Sequence, residues 1–111
     1  MPHRRLNVLD AAQRAADGIT ALIDRSPRRL LHVGQLRRSA QSISANISEG
    51  FGRGPGRDRD HPLEIARGET EETIQHLSAN FRSNRIGPKD YWPLHNLLVV
   101  VVKMLNALLN R

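Results

Sequence analysis

Residues 94–109 read LHNLLVVVVKMLNALL, and the reading of this stretch decides the fold. Taken alone, Leu97–Val102 is an unbroken apolar run that suits a buried strand, because valines favour sheets. The flanks say otherwise. Leu94, Leu98, Val101, Leu105 and Leu108 keep 4-3-4-3 spacing straight through the run, which is one face of a helix. No other segment offers a strand for it to pair with. The stretch therefore predicts a helix over about 88–110, beginning at Pro88 or Pro93.

Working back along the chain, Leu63, Ala66, Thr70, Ile74, Leu77 and Phe81 share a helical face over about 60–84. Asp58 or Asp60 suits its N-cap, and Pro62 would sit in the first turn, where a missing N–H is harmless. Glu64, Glu69, Glu71 and Glu72 crowd the first half and Arg82 and Arg85 the end, as the helix dipole favours. Leu36, Ala40, Ile43, Ile47 and Phe51 mark a helix over about 33–52, stopped by Gly50 and Gly52. Leu9, Ala12, Ala16, Ile19 and Ile23 mark another over about 5–25, ended at Ser26–Pro27. Between the second and third helices GFGRGPGRDRDHP, residues 50–62, has no periodicity, four glycines and two prolines, and predicts a flexible loop of about a dozen residues. These elements predict an all-α fold, an antiparallel up-and-down four-helix bundle forming a single domain over residues 1–111.

The composition narrows the chemistry. The 111 residues carry 17 Lys+Arg against 11 Asp+Glu, a formal net charge of +6, and no cysteine. Disulfides, thiolate metal sites and cysteine nucleophiles are excluded. His3, His32, His61, His76 and His95 are scattered, and Glu72 is followed at three residues by Gln75, not by the His of a di-iron bundle. There is no Gly-x-Ser-x-Gly, phosphate-binding loop or dinucleotide fingerprint. No catalytic residue, metal or cofactor is expected. The four aromatics Phe51, Phe81, Tyr91 and Trp92 look too few for a base-stacking platform. The first ten residues are polar and basic, unlike a secretory leader. The longest apolar run of six falls short of the roughly 20 residues of a membrane span. A cytoplasmic protein without a membrane partner is expected.

Two helices offer more surface than an isolated bundle needs. At about 100° per residue, the apolar residues of the last helix cover an arc of roughly 200°, from Val100 round to Val102, about twice one core-facing stripe. Either three neighbours enclose it or part of it faces another copy. On the second helix, Arg38, Ser39, Ser42, Asn46 and Glu49 flank the apolar stripe. They form either a solvated face or a close, hydrogen-bonded helix contact, within the chain or between chains. Cations gather at Arg25, Arg28, Arg29, Arg37 and Arg38, and again at Arg53, Arg57 and Arg59. Either group would suit sequence-independent contact with RNA or DNA phosphates; the alternative is internal pairing, with Arg37 or Arg38 meeting Glu69 or Glu72 across helices.

Gln35-Leu36-Arg37-Arg38-Ser39-Ala40, then Ser42-Ile43 and Asn46-Ile47-Ser48-Glu49-Gly50-Phe51-Gly52-Arg53, resembles the signature of the four-helix-bundle family also called 23S rRNA intervening-sequence proteins. Ile65-Ala66-Arg67-Gly68-Glu69 with Glu72 is similar to its second motif, and Lys103-Met104-Leu105 through Leu108-Leu109 to its last helix. The third helix departs from the pattern, with Thr70, Thr73 and Gln75 where relatives carry more leucine. The resemblance implies a ring-like homopentamer without catalytic activity. It also implies likeness to the accessory protein of diversity-generating retroelements, a basic pentamer that engages a reverse transcriptase and nucleic acid. Gly68, Glu72, Val100 and Met104 join the second-helix flank as candidate helix or subunit contacts. The expected partners are a second copy of the chain, RNA or DNA, and a reverse transcriptase or other protein.

Overall fold

Four helices follow one another in the computed structural model, which describes residues 7–110: α1 Val8–Arg25, α2 Val33–Gly52, α3 Arg57–Arg82 and α4 Pro88–Leu109. Each packs on its neighbours in chain order and α1 closes onto α4, which makes an up-and-down four-helix bundle. The readings that fall on residues 1–6, including His3 and the expected helix start at residue 5, lie outside the described residues. Asn7 caps α1, its side-chain oxygen accepting from the Asp10 N–H at 2.9 Å.

The apolar stripes meet in one core. Ile19, Ile23, Leu36, Ile43, Ile47, Leu63, Leu77, Leu98, Val101 and Leu105 are fully buried. Alanines 11, 12, 15 and 16 let α1 lie close to its neighbours. Phe51 departs from the expected stripe and is 41% exposed. The threonines of α3 do not leave polar gaps. Thr70 is fully buried and donates to the Ala66 carbonyl at 2.7 Å; Thr73, also fully buried, reaches the Glu69 carbonyl and Ser39.

The expected long loop over 50–62 is corrected to a four-residue connection, 53–56, with Gly54 and Gly56 at positive φ. Helix α3 starts at Arg57, and neither Asp58 nor Asp60 caps it, so Pro62 lies inside it. The reason is local. Pro62 cannot donate to the carbonyl of Asp58 four residues back, and Arg53 donates to that carbonyl instead, at 3.3 Å.

By length and composition α4 would pass for a membrane span, with a mean hydropathy of 1.5 over its most apolar window. The six-residue run understates it, because the apolar character continues on both sides. One side of α4 supplies Tyr91, Leu94, Leu98, Val101 and Leu105 to the core, and only 22% of the window is buried.

At the end of the bundle that holds the α1–α2 and α3–α4 connections, Asn80 is fully buried. Its Oδ1 accepts from the Leu31 N–H at 2.7 Å, and its Nδ2 donates to the carbonyls of Leu31 (3.2 Å) and His76 (2.9 Å). Asn80→Ala removes the partner of a buried N–H and opens a cavity. It should lower stability by about 2–4 kcal/mol, read as a shifted urea midpoint at unchanged m-value.

Candidate nucleic-acid interface

Arginine is always charged and carries five donors, so a guanidinium can bind backbone carbonyls and keep its charge. Two arginines do this where the connections meet. Arg29 donates from Nε to the Arg85 carbonyl (2.9 Å) and from Nη2 to the Asn84 carbonyl (3.0 Å). Arg85 returns a bond from Nη1 to the Arg29 carbonyl at 3.0 Å. Arg25 reaches Asp90 across the same end at 3.2 Å, and Arg37 reaches Asp24 at 3.4 Å. Arg82 donates to Ser78. Arg28, Arg38 and Lys89 are exposed and have no hydrogen bond or ion pair among the described residues.

These contacts gather segments 24–38 and 82–90 into one pole. It holds eight cationic side chains against Asp24 and Asp90, a surplus equal to the whole formal net charge of +6. The other described residues carry six cations and nine anions. Sequence spacing had shown the first half of this pole; Arg82, Arg85 and Lys89 join it only through the fold. The two ion pairs here are exposed, so they are weak and open to exchange with a phosphate.

Arg53, Arg57 and Arg59 lie at the opposite end of the 20-residue α2, about 30 Å away at the rise of a helix. Arg53 is bound to Glu49 and the Asp58 carbonyl. Arg59 is half-buried, donates to the Leu108 carbonyl at 2.9 Å and lies 3.7 Å from Asp60. Its Nε is buried without a hydrogen bond. Of this group only Arg57 is exposed and without a partner among the described residues. The two groups of arginines singled out in the sequence thus stay apart at opposite ends of α2 and do not form one surface.

The second-helix flank faces α3 of the same chain. Glu69 accepts from Ser42 Oγ at 2.6 Å and from Asn46 Nδ2 at 2.9 Å. The Thr73 and buried Ser39 hydroxyls hydrogen-bond to each other at 2.8 Å. The expected cross-helix pairing of Glu69 or Glu72 with Arg37 or Arg38 does not form: Glu69 is held by Ser42 and Asn46, Glu72 lies against His76 at 3.3 Å, and Arg37 turns to α1. Glu49 pairs along its own helix and Gly68 faces open space. Val100 is exposed, and Met104 lines a shallow apolar depression of about 300 Å³ with Val8, Phe51 and Leu108. Glu69 was the partner the sequence reading lacked. Its place one turn before Thr73, opposite Ser42, was the available signal. Among the described residues no group of three or more His, Asp or Glu is placed to hold a metal ion.

Residues 4–107 match the family described as 23S rRNA-intervening sequence protein. No curated protein matches the chain. A solved structure from Bacteroides thetaiotaomicron, described as a protein with unknown function from the S23 ribosomal protein family, is similar over 95% of this chain and 100% of that one. The two are 26% identical, with a TM-score of 0.86.

Because the Ser42–Asn46–Glu69 contact lies within one chain, the Asn46→Ala and Glu69→Ala double-mutant cycle should give a coupling of about 1 kcal/mol. Urea melts should show the loss at every protein concentration. A loss that grows on dilution would assign the contact to a subunit boundary.

Proposed function

The chain belongs to the 23S rRNA-intervening sequence protein family, and from that premise we propose that it is a non-enzymatic, self-assembling bundle that binds RNA or DNA through backbone phosphates. The observation that carries this reading is the surplus of eight cationic side chains over two carboxylates at one pole. Arg29 and Arg85 are held there by carbonyls without losing charge, while Arg28, Arg38 and Lys89 stand unpaired. Phosphate contact needs only cations at reachable spacing, and releasing counterions drives it. The protein acts in the cytoplasm as an accessory factor. A reverse transcriptase is one class of polymerase it would assist, as the likeness to retroelement accessory proteins suggests.

Assembly supplies the rest. The outer side of α4 leaves Val100 37% exposed, with Leu97 and Met104 partly buried, and it runs into the apolar depression beside Phe51. A second copy covers this surface, and the family resemblance makes the assembly a ring-like homopentamer. The same depression favours a second reading, an adaptor that takes a protein partner and has no nucleic-acid role. A partner recovered from lysate that survives nuclease treatment, with no binding of nucleic acid at low salt, would select the adaptor.

Binding to duplex DNA should weaken steeply with salt. The combined Arg28→Ala, Arg38→Ala and Lys89→Ala variant should lower the slope of log K against log salt by about 3, at roughly one unit per lost phosphate contact. Arg57→Ala, at the far end, should leave the slope unchanged. Light scattering should show Val100→Asp with Met104→Glu reduced to the mass of one chain, with the helical circular dichroism retained.

A further inference from the structure

Three of the four aromatic residues, scarce as they are, come together at the α3–α4 hairpin. Phe81 and Tyr91 stack in parallel, 4.1 Å between centroids and 1° between planes. Trp92 meets Phe81, Tyr91 and His95 at 5.8, 4.8 and 5.2 Å, and every one of these contacts is close to perpendicular, at 72°, 71° and 78°. Tyr91 is buried, whereas Trp92 is 46% exposed. The indole is thus braced by three rings, and none of them is stacked parallel on it.

Its position matters as much as its exposure. Trp92 stands three residues after the unpaired Lys89 on α4, one turn along the helix. It lies directly beside the segment that brings Arg82 and Arg85 to the basic pole. Asn96, exposed one turn further on, adds an amide that can bond to the edge of a base. A cationic surface that tracks phosphates beside an open aromatic face is how single strands are held, since every base has a π-face to stack. A duplex offers the phosphates but keeps its bases stacked within itself. The sequence expectation concerned a platform of several aromatics on one surface; holding one base needs only one exposed indole.

We propose that Trp92 is the stacking platform for an unpaired base of single-stranded nucleic acid whose backbone lies across the basic pole. This rests on the reading of that pole as a phosphate-binding surface. Trp92 is the only tryptophan of the chain, so its emission reports on this position alone. Titrating the full chain with a labelled single-stranded oligonucleotide of about ten nucleotides should quench the emission as the anisotropy of the strand rises. A duplex, and a strand of the same length lacking its bases, should raise anisotropy without quenching. Trp92→Ala should weaken single-strand binding about tenfold, as loss of one base–aromatic stack does, and leave the abasic strand bound as before. Trp92→Phe should restore most of the difference.

Anisotropy that rises for all three ligands with unchanged emission overturns the stacking and leaves the phosphate contacts standing. No anisotropy change with any ligand at low salt removes both. Emission that shifts with protein concentration alone, together with a lower assembly mass for Trp92→Ala, assigns the indole to a contact with a second copy and overturns the proposal.

Discussion

The buried amide of Asn80 is the contact on which the basic end of the molecule depends. The α1–α2 connection crosses that end with Leu30 in the core and leaves the backbone of Leu31 part-buried against α3. An N–H and a carbonyl there both need partners. One primary amide offers both a donor and an acceptor, and Asn80 is held in orientation by its own bond to the His76 carbonyl. A carboxylate would face two carbonyls; an apolar side chain would satisfy neither group. With Leu31 fixed, Arg29 comes within reach of the α3–α4 connection, and the two halves of the basic pole become one surface.

Concentrating the net charge at one end costs self-repulsion. Part of that cost is offset locally. Arg29 bonds to the carbonyls of Asn84 and Arg85 in the turn just after α3, where the negative end of that helix dipole favours a cation, and Arg85 bonds to the Arg29 carbonyl in the α1–α2 connection. Asp24 and Asp90 each answer one further arginine. Nothing internal explains Arg28, Arg38 and Lys89. The fold places them where the potential is already positive, and an anionic partner is what relieves such an arrangement.

How much of this was legible depended on the range of the interaction. The 4-3 spacing of α4 overruled the strand preference of its valines, because periodicity records which side is buried and propensity does not. The start of α3 was misread for an equally clear reason. Glycines and Pro62 signal a break, but the carbonyl that Pro62 orphans is rescued by Arg53, a side chain outside the helix. The Ser42–Asn46–Glu69 contact was half legible: small polar side chains at helical spacing announced a close neighbour but not which one. The aromatic cluster was not legible, since Phe81 lies on one helix and Tyr91 and Trp92 on the next, and only the hairpin register brings Phe81 to 4.1 Å from Tyr91 and 5.8 Å from Trp92. Phe51 shows the limit of periodicity from the other side. It keeps the spacing of the α2 stripe to its last turn, where the bundle no longer has anything to cover it.

That the polar flank of α2 faces α3 within the chain changes what is left for copies of the molecule. The surface still uncovered is the outer side of α4, and its character changes along its length. Near Lys89, Trp92 and Asn96 it is basic, aromatic and polar; near Val100, Met104 and Ala107 it is apolar. In the proposed assembly, contacts between copies would use the apolar half and leave the half beside the pole open to a ligand. In a cyclic assembly every copy is related by rotation about one axis, so each turns the same end to the same side of the ring. With the bundle axes along that symmetry axis, the charge surplus of each chain would add to that of its neighbours on a single face. On the proposed reading, a strand long enough to touch several poles would be held by all of them, with an avidity that no single bundle of this charge supplies.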